Sequence, residues 1–189
     1  MRSIITVIAV ASLAYLGTMF DNFFAFGAQL VVTDQKRHRR VCWSQFLGVL
    51  TLVLMAGAIG SLLAPIPTRL IGLLFVVPWA LALYAWRQRH QPRREQFRRG
   101  VATTFLMTLL LGGDNLAVWV PLVRAKGTLG AFVTATILLL WEIPFLLGAQ
   151  ALATRPQVLT WGAKYAPSLI PGVYLGLGVL ILVECGTLR

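Results

Sequence analysis

Leu16-Gly-Thr-Met-Phe-Asp21-Asn22-Phe-Phe-Ala-Phe26 and Leu109-Leu-Leu-Gly-Gly-Asp114-Asn115-Leu-Ala-Val-Trp119 superimpose at an offset of 93 residues. Each stretch sets an Asp-Asn pair deep in an apolar run. Asn22 and Asn115 are the only asparagines in the chain of 189 residues, so chance explains the match poorly. A carboxylate in a bilayer interior costs about 2.5 to 3.5 kcal/mol even on lenient insertion scales, which makes Asp21 and Asp114 functional candidates rather than ornaments.

The surroundings of the pairs are those of a membrane protein. Hydrophobic residues make up 58% of the chain and charged residues only 12%, against about 25% charged in soluble domains. With a mean hydropathy of +0.77, there is too little polar surface to clothe a body in water. Spans of about 20 apolar residues are expected at Ile4 to Val32, Val41 to Leu63, Leu70 to Trp86, Val101 to Val123, Leu129 to Ala153 and Ala166 to Glu184. The expected fold is therefore an all-α integral membrane protein forming one transporter domain. Six transmembrane helices are divided into repeat 1 (about 1–86), a basic loop (87–100) and repeat 2 (about 101–189). Three spans per half is an odd number, so the second half enters from the opposite side and the repeat is inverted, the architecture of many secondary transporters.

Seventeen Lys and Arg against six Asp and Glu give a net charge of +11. Nucleic acid is not the implied partner, because every basic residue falls between the apolar runs, where it sets membrane topology. The first, third and fifth loops hold 12 of the 17. These loops are expected in the cytoplasm, with both termini outside a multi-pass cell (inner) membrane. Trp43, Trp86 and Trp161 flank the same loops as an interfacial belt. The Arg-rich stretch 87–100 reads as a solvated, topology-setting loop beside membrane lipid. The Met1-Arg2-Ser3 start followed by an apolar run resembles a signal peptide. However, the run continues past any cleavage point and carries half of the repeat, so retention is expected. Cys42 and Cys185 lie far apart and make no metal-finger spacing.

Two aspartates, two asparagine amides and backbone carbonyls freed at interrupted helices form an oxygen cage of charge −2, suited to one divalent cation. Interruption is expected in both halves. The first run has 29 residues, about 44 Å of straight helix against about 30 Å of hydrocarbon. In the second half Gly112 and Gly113 precede Asp114, and Pro121 follows it. The metal-site candidates are Asp21, Asn22, Asp114 and Asn115, with Met19, Gly112, Gly113, Glu142 and Glu184 as secondary ones; Glu142 reads equally as a proton relay. Such ligands shed protons to bind metal, which makes proton antiport a natural coupling. No G-x-x-x-x-G-K-[ST] motif is present, so ATP does not drive it. His38 and His90 sit in basic loops and make no metal site, and no catalytic constellation or resident cofactor is expected. Gly57 with Ser61 and Gly172 with Gly176 have the spacing of close helix packing and leave the oligomeric state open.

These residues carry a resemblance. Leu111-Gly-Gly-Asp-Asn-Leu-Ala-Val-Trp-Val-Pro-Leu122 is similar to the signature of the cadmium resistance transporter family, within the wider lysine-exporter superfamily. The closing stretch Ile170-Pro-Gly-Val-Tyr-Leu-Gly-Leu-Gly-Val-Leu-Ile-Leu-Val-Glu-Cys-Gly-Thr187 resembles that family's last helix. Where family members typically carry an amide, this chain has Met19, and where they commonly have Trp-Cys it reads Trp141-Glu142. The resemblance implies export of divalent heavy-metal cations, with Cd2+ as the named substrate, whereas the oxygen-rich cage itself suits Mn2+ or another hard divalent ion. The alternative function is an exporter of amino acids or small organic cations, whose ammonium group a −2 site would hold. A third reading is a membrane assembly partner that transports nothing.

Overall fold

The structure is a computed structural model that describes residues 4–88 and 101–187, so most of the basic stretch 87–100 lies outside the described residues. Helix α1 (Ile4–Thr18) bends by 52° into α2 (Phe20–Val31). After α3 (Gln35–Leu62), a short α4 (Thr68–Ile71) and a 3-10 turn (Gly72–Phe75) lead into α5 (Val76–Gln88). In the second half, α6 (Val101–Leu111) bends by 58° into α7 (Gly113–Ala125), followed by α8 (Gly127–Ala153) and α9 (Pro156–Cys185). Among the described residues there is no strand. Four helices are long and apolar enough to cross a membrane, or up to six if each bent pair is one span.

Two helices run further than the apolar runs suggest. α3 starts at Gln35 rather than Val41, and α9 at Pro156 rather than Ala166. Hydropathy marks where hydrocarbon ends; a helix can continue into the headgroup region because its backbone stays internally bonded there. Two prolines stand where a helix begins. Pro156 opens α9, where its missing N–H is not needed, and Pro78 lies in the first turn of α5, directly after the 3-10 turn. Pro121 sits inside α7, which continues to Ala125.

Large aliphatic and aromatic side chains such as Ile5, Leu62, Leu110, Leu129 and Phe132 face outward, as a bilayer solvent permits and water does not. The core between the helices instead collects Tyr15, Met19, Leu52, Trp119, Leu138 and the polar Asn115 and Glu142. α1 and α2 pack on α8, α3 on α6 and α7, and α5 on α9. The hinge between α6 and α7 depends on space at Gly112. A Cβ there would lie 2.4 Å from Leu52 Cδ1 and 2.8 Å from the Thr108 carbonyl oxygen. Its φ of −80° is open to any residue, so the requirement is for close approach rather than for glycine's backbone freedom. At Gly113 a Cβ would meet nothing within 4 Å. Gly112→Val is expected to destabilise the protein by about 1 to 3 kcal/mol through overpacking, and Gly113→Ala to leave it unchanged or slightly raised. Thermal melting in detergent checks this, and equal shifts for both variants contradict it.

Candidate metal site

Both broken helices restart in the same way. Met19 caps α2 and Gly112 caps α7, neither through a side-chain hydrogen bond, and the two caps are 93 residues apart. In each restart an aspartate occupies the second helical position and an asparagine the third. The amide of Asn22 donates to Asp21 Oδ1 at 2.9 Å, and that of Asn115 to Asp114 Oδ1 at 2.8 Å. In an unbroken helix these amides would bond back to the carbonyls of Thr18 and Leu111. The aspartates thus receive the orphan amides of a new helix start, and the positive end of the helix dipole favours their charge.

Tertiary packing then brings the two restarts together on one sulfur atom. Met19 Sδ, buried in the core, accepts from Asn22 Nδ2 at 3.8 Å and from Asn115 Nδ2 at 3.5 Å. With their NH2 groups turned to the sulfur, the amide oxygens face elsewhere, and Asn115 Oδ1 is buried with no hydrogen-bond partner. Asp114 Oδ2 accepts a short hydrogen bond from Tyr174 of α9. Asp21 lies within electrostatic reach of Asp114, and both carboxylates are half-buried. Among the described residues no group of three or more His, Cys, Asp and Glu comes together. A cation here would draw on the two carboxylates and on the amide oxygens that face away from the sulfur.

The other candidates stand apart. Glu142 is wholly buried in α8, where Oε2 accepts from Tyr15 at 2.5 Å. Glu184 of α9 pairs with Lys126 at the start of α8, both side chains almost completely buried. Beside that pair Arg124 donates to the carbonyls of Leu63, Ala64 and Ile66, fastening the turn after α3. Gly112 provides the space at the hinge, and Gly113 is the exposed first residue of α7. Cys42 and Cys185 are both buried thiols. Sequence reasoning overlooked Tyr174 as the partner of Asp114 and Tyr15 as the partner of Glu142, away from the paired aspartates. The available signal was a hydroxyl-bearing aromatic within an otherwise apolar or glycine-rich run, which in a bilayer needs a partner.

A family model described as cadmium resistance transporter matches residues 15–189, which includes both Asp-Asn pairs, Met19 and Tyr174. The chain belongs to the cadmium resistance transporter family. Neither a curated protein nor a solved structure matches it. Membership in this transporter family, together with the apolar helices, makes it a multi-pass membrane protein of cadmium resistance and efflux, and implies a divalent metal ion as substrate. In this family member Tyr174 holds one oxygen of Asp114, and Met19 orients both asparagines. Residues that orient ligands are typically worth 10- to 100-fold in metal affinity. Tyr174→Phe and Met19→Leu are each expected to weaken binding of divalent metal by about tenfold without unfolding the protein. Titration calorimetry of purified protein measures this, and Tyr84→Phe, on exposed surface, serves as the control that should not change.

Proposed function

We propose that the protein is a secondary, proton-coupled exporter of divalent heavy-metal cations, built as six spans in two inverted repeats. The metal is bound between the two interrupted helices by Asp21, Asn22, Asp114 and Asn115. The observation that carries this reading is the convergence of both asparagine amides on Met19 Sδ, which unites two motifs 93 residues apart in sequence. The repeat is supported by the equal construction of the two helix restarts, each with the next residue's amide on the aspartate. The unpartnered Asn115 Oδ1 is an acceptor that a cation would satisfy.

Cadmium is the family's named substrate, and Met19 supplies the one soft donor among these ligands, which favours Cd2+ over what oxygen ligands alone would prefer. Mn2+ is the harder rival. Binding requires ionised carboxylates, so metal and protons compete for the site. Inward movement of protons therefore supplies the work for outward movement of metal. The distribution of Lys and Arg puts both termini outside, with no resident cofactor and no nucleic-acid partner. An ammonium-bearing organic substrate is the competing cargo, and it would need a cationic group in the spans for its carboxylate.

The test is flux into proteoliposomes loaded with a divalent-metal dye, comparing Cd2+, Mn2+, Zn2+ and Ca2+. Asp21→Asn and Asp114→Asn are each expected to reduce Cd2+ flux at least tenfold; wild-type flux of an amino acid without metal flux overturns the reading. Metal affinity is expected to fall as pH is lowered, because protonation removes the ligand charge, and metal addition to weakly buffered protein should release protons. Affinity that does not vary with pH would contradict proton competition.

A further inference from the structure

The bundle buries two glutamates, and they are treated differently. Glu184 meets the cation of Lys126. Glu142 has no cationic partner among the described residues: Tyr15 of α1 donates to Oε2, the Gln45 amide of α3 lies beside the same carboxyl, and Oε1 is buried without a hydrogen-bond partner. A permanently ionised carboxylate in apolar surroundings requires a counter-charge. A carboxyl held only by neutral donors, with one oxygen left over, is instead suited to carry a proton on that oxygen. The titratable groups that the structure brings to it are Tyr15 from α1 and the Cys42 thiol from α3. The α7 ring in its vicinity is Trp119, which is stacked on Tyr15 and does not titrate.

The Cys42 thiol within electrostatic reach of Glu142 also lines an open pocket. The pocket, of about 1050 Å³, lies between α2, α3 and α8, and Thr33, Arg39, Cys42, Phe46, Ile143 and Gln150 are among its lining residues. Gln150 lies against the same thiol. The opposite end of the bundle is fastened by Arg124 and by the Lys126–Glu184 pair. Behind Glu142 a polar chain runs from Gln45 to Thr108 (2.6 Å), along α6 to Thr104, and on to Gln29 (2.6 Å).

The same carboxyl is linked to the metal site. Tyr15 stands one helical turn before Met19, whose amide donates to the Tyr15 carbonyl, and its ring stacks on Trp119, one turn beyond Asn115. We propose that Glu142 is the proton-carrying residue of the antiport, separate from the paired aspartates and loaded through the pocket between α2, α3 and α8. This rests on the proton-coupled reading above. The carboxylate takes up one proton on one side of the membrane and releases it on the other, with no other bond made or broken. The negative charge that appears or disappears beside Tyr15 biases the packing of α1, which leads into α2, against α7; α2 and α7 carry the proposed metal ligands.

The experiment is transport in proteoliposomes with and without a pH gradient, together with metal-for-metal exchange at equal pH. In wild type, a pH gradient should accumulate Cd2+ several-fold beyond equilibration. Glu142→Gln, a neutral mimic of the protonated state, should still bind and exchange Cd2+ but lose the accumulation and the accompanying proton movement. Accumulation by Glu142→Gln equal to wild type overturns the assignment, whereas wild type that exchanges metal but never responds to the gradient overturns the antiport itself. Should Glu142→Gln fail to fold, Tyr15→Phe keeps the ring and removes only the donor to Glu142. Its pH profile of transport should shift by about one unit with metal affinity unchanged, and an unshifted profile contradicts the proposal.

Discussion

A helix that restarts inside an apolar bundle exposes amides that no water can reach, and the rest of this structure is arranged around the way those amides are satisfied. The membrane interior tolerates broken helices only where protein groups complete their hydrogen bonds. Here Asp21 and Asp114 do so by accepting the next residue's amide, so the groups that repair the breaks are also two acids within electrostatic reach of each other. The arrangement is economical: one carboxylate oxygen is committed to the backbone, and the second remains for other partners, as Asp114 Oδ2 demonstrates with Tyr174.

The second constraint is steric. α3 crosses the α6–α7 hinge so closely that Gly112 has no room for a side chain against Leu52, and Gly48 none against Thr108. This closeness puts Gln45 beside Thr108 and presses α7 inward. Met19 then occupies the gap between the restarts. Its flexible, polarizable side chain fills an irregular space, and its sulfur accepts weakly from both amides. A thioether sulfur is a weak acceptor, so it holds the two amides less tightly than an oxygen would.

The polar groups of the bundle divide by partner rather than by residue type. Glu184 is neutralised by Lys126, two residues from Arg124, which fastens the turn after α3. Glu142 is surrounded by neutral donors and aromatic rings at mid-helix. The chemical identity of the two acids is the same, and their neighbours decide what each can do.

An all-helical chain with four to six helices long and apolar enough to span was legible in the sequence, because hydrocarbon thickness translates directly into lengths of apolar residues between basic loops. The break at Gly112 was legible from its glycines and that of the first half only from its excess length. The extensions of α3 and α9 were not, since polar residues beyond the hydrocarbon stay helical without any hydropathic mark. Asp21, Asn22, Asp114 and Asn115 were legible as candidates because an acid beside the only two asparagines is costly in a span and recurs at one offset. By itself, then, the sequence determined a membrane-spanning, all-helical family member with two Asp-Asn motifs, since composition and periodicity follow from the solvent. Only the tertiary structure decided that both asparagines meet at Met19, that Tyr174 holds Asp114, and that Glu142 and Glu184 have different partners. Those contacts join residues from 58 to 127 positions apart in the chain, and no local pattern encodes which distant helix face will lie opposite.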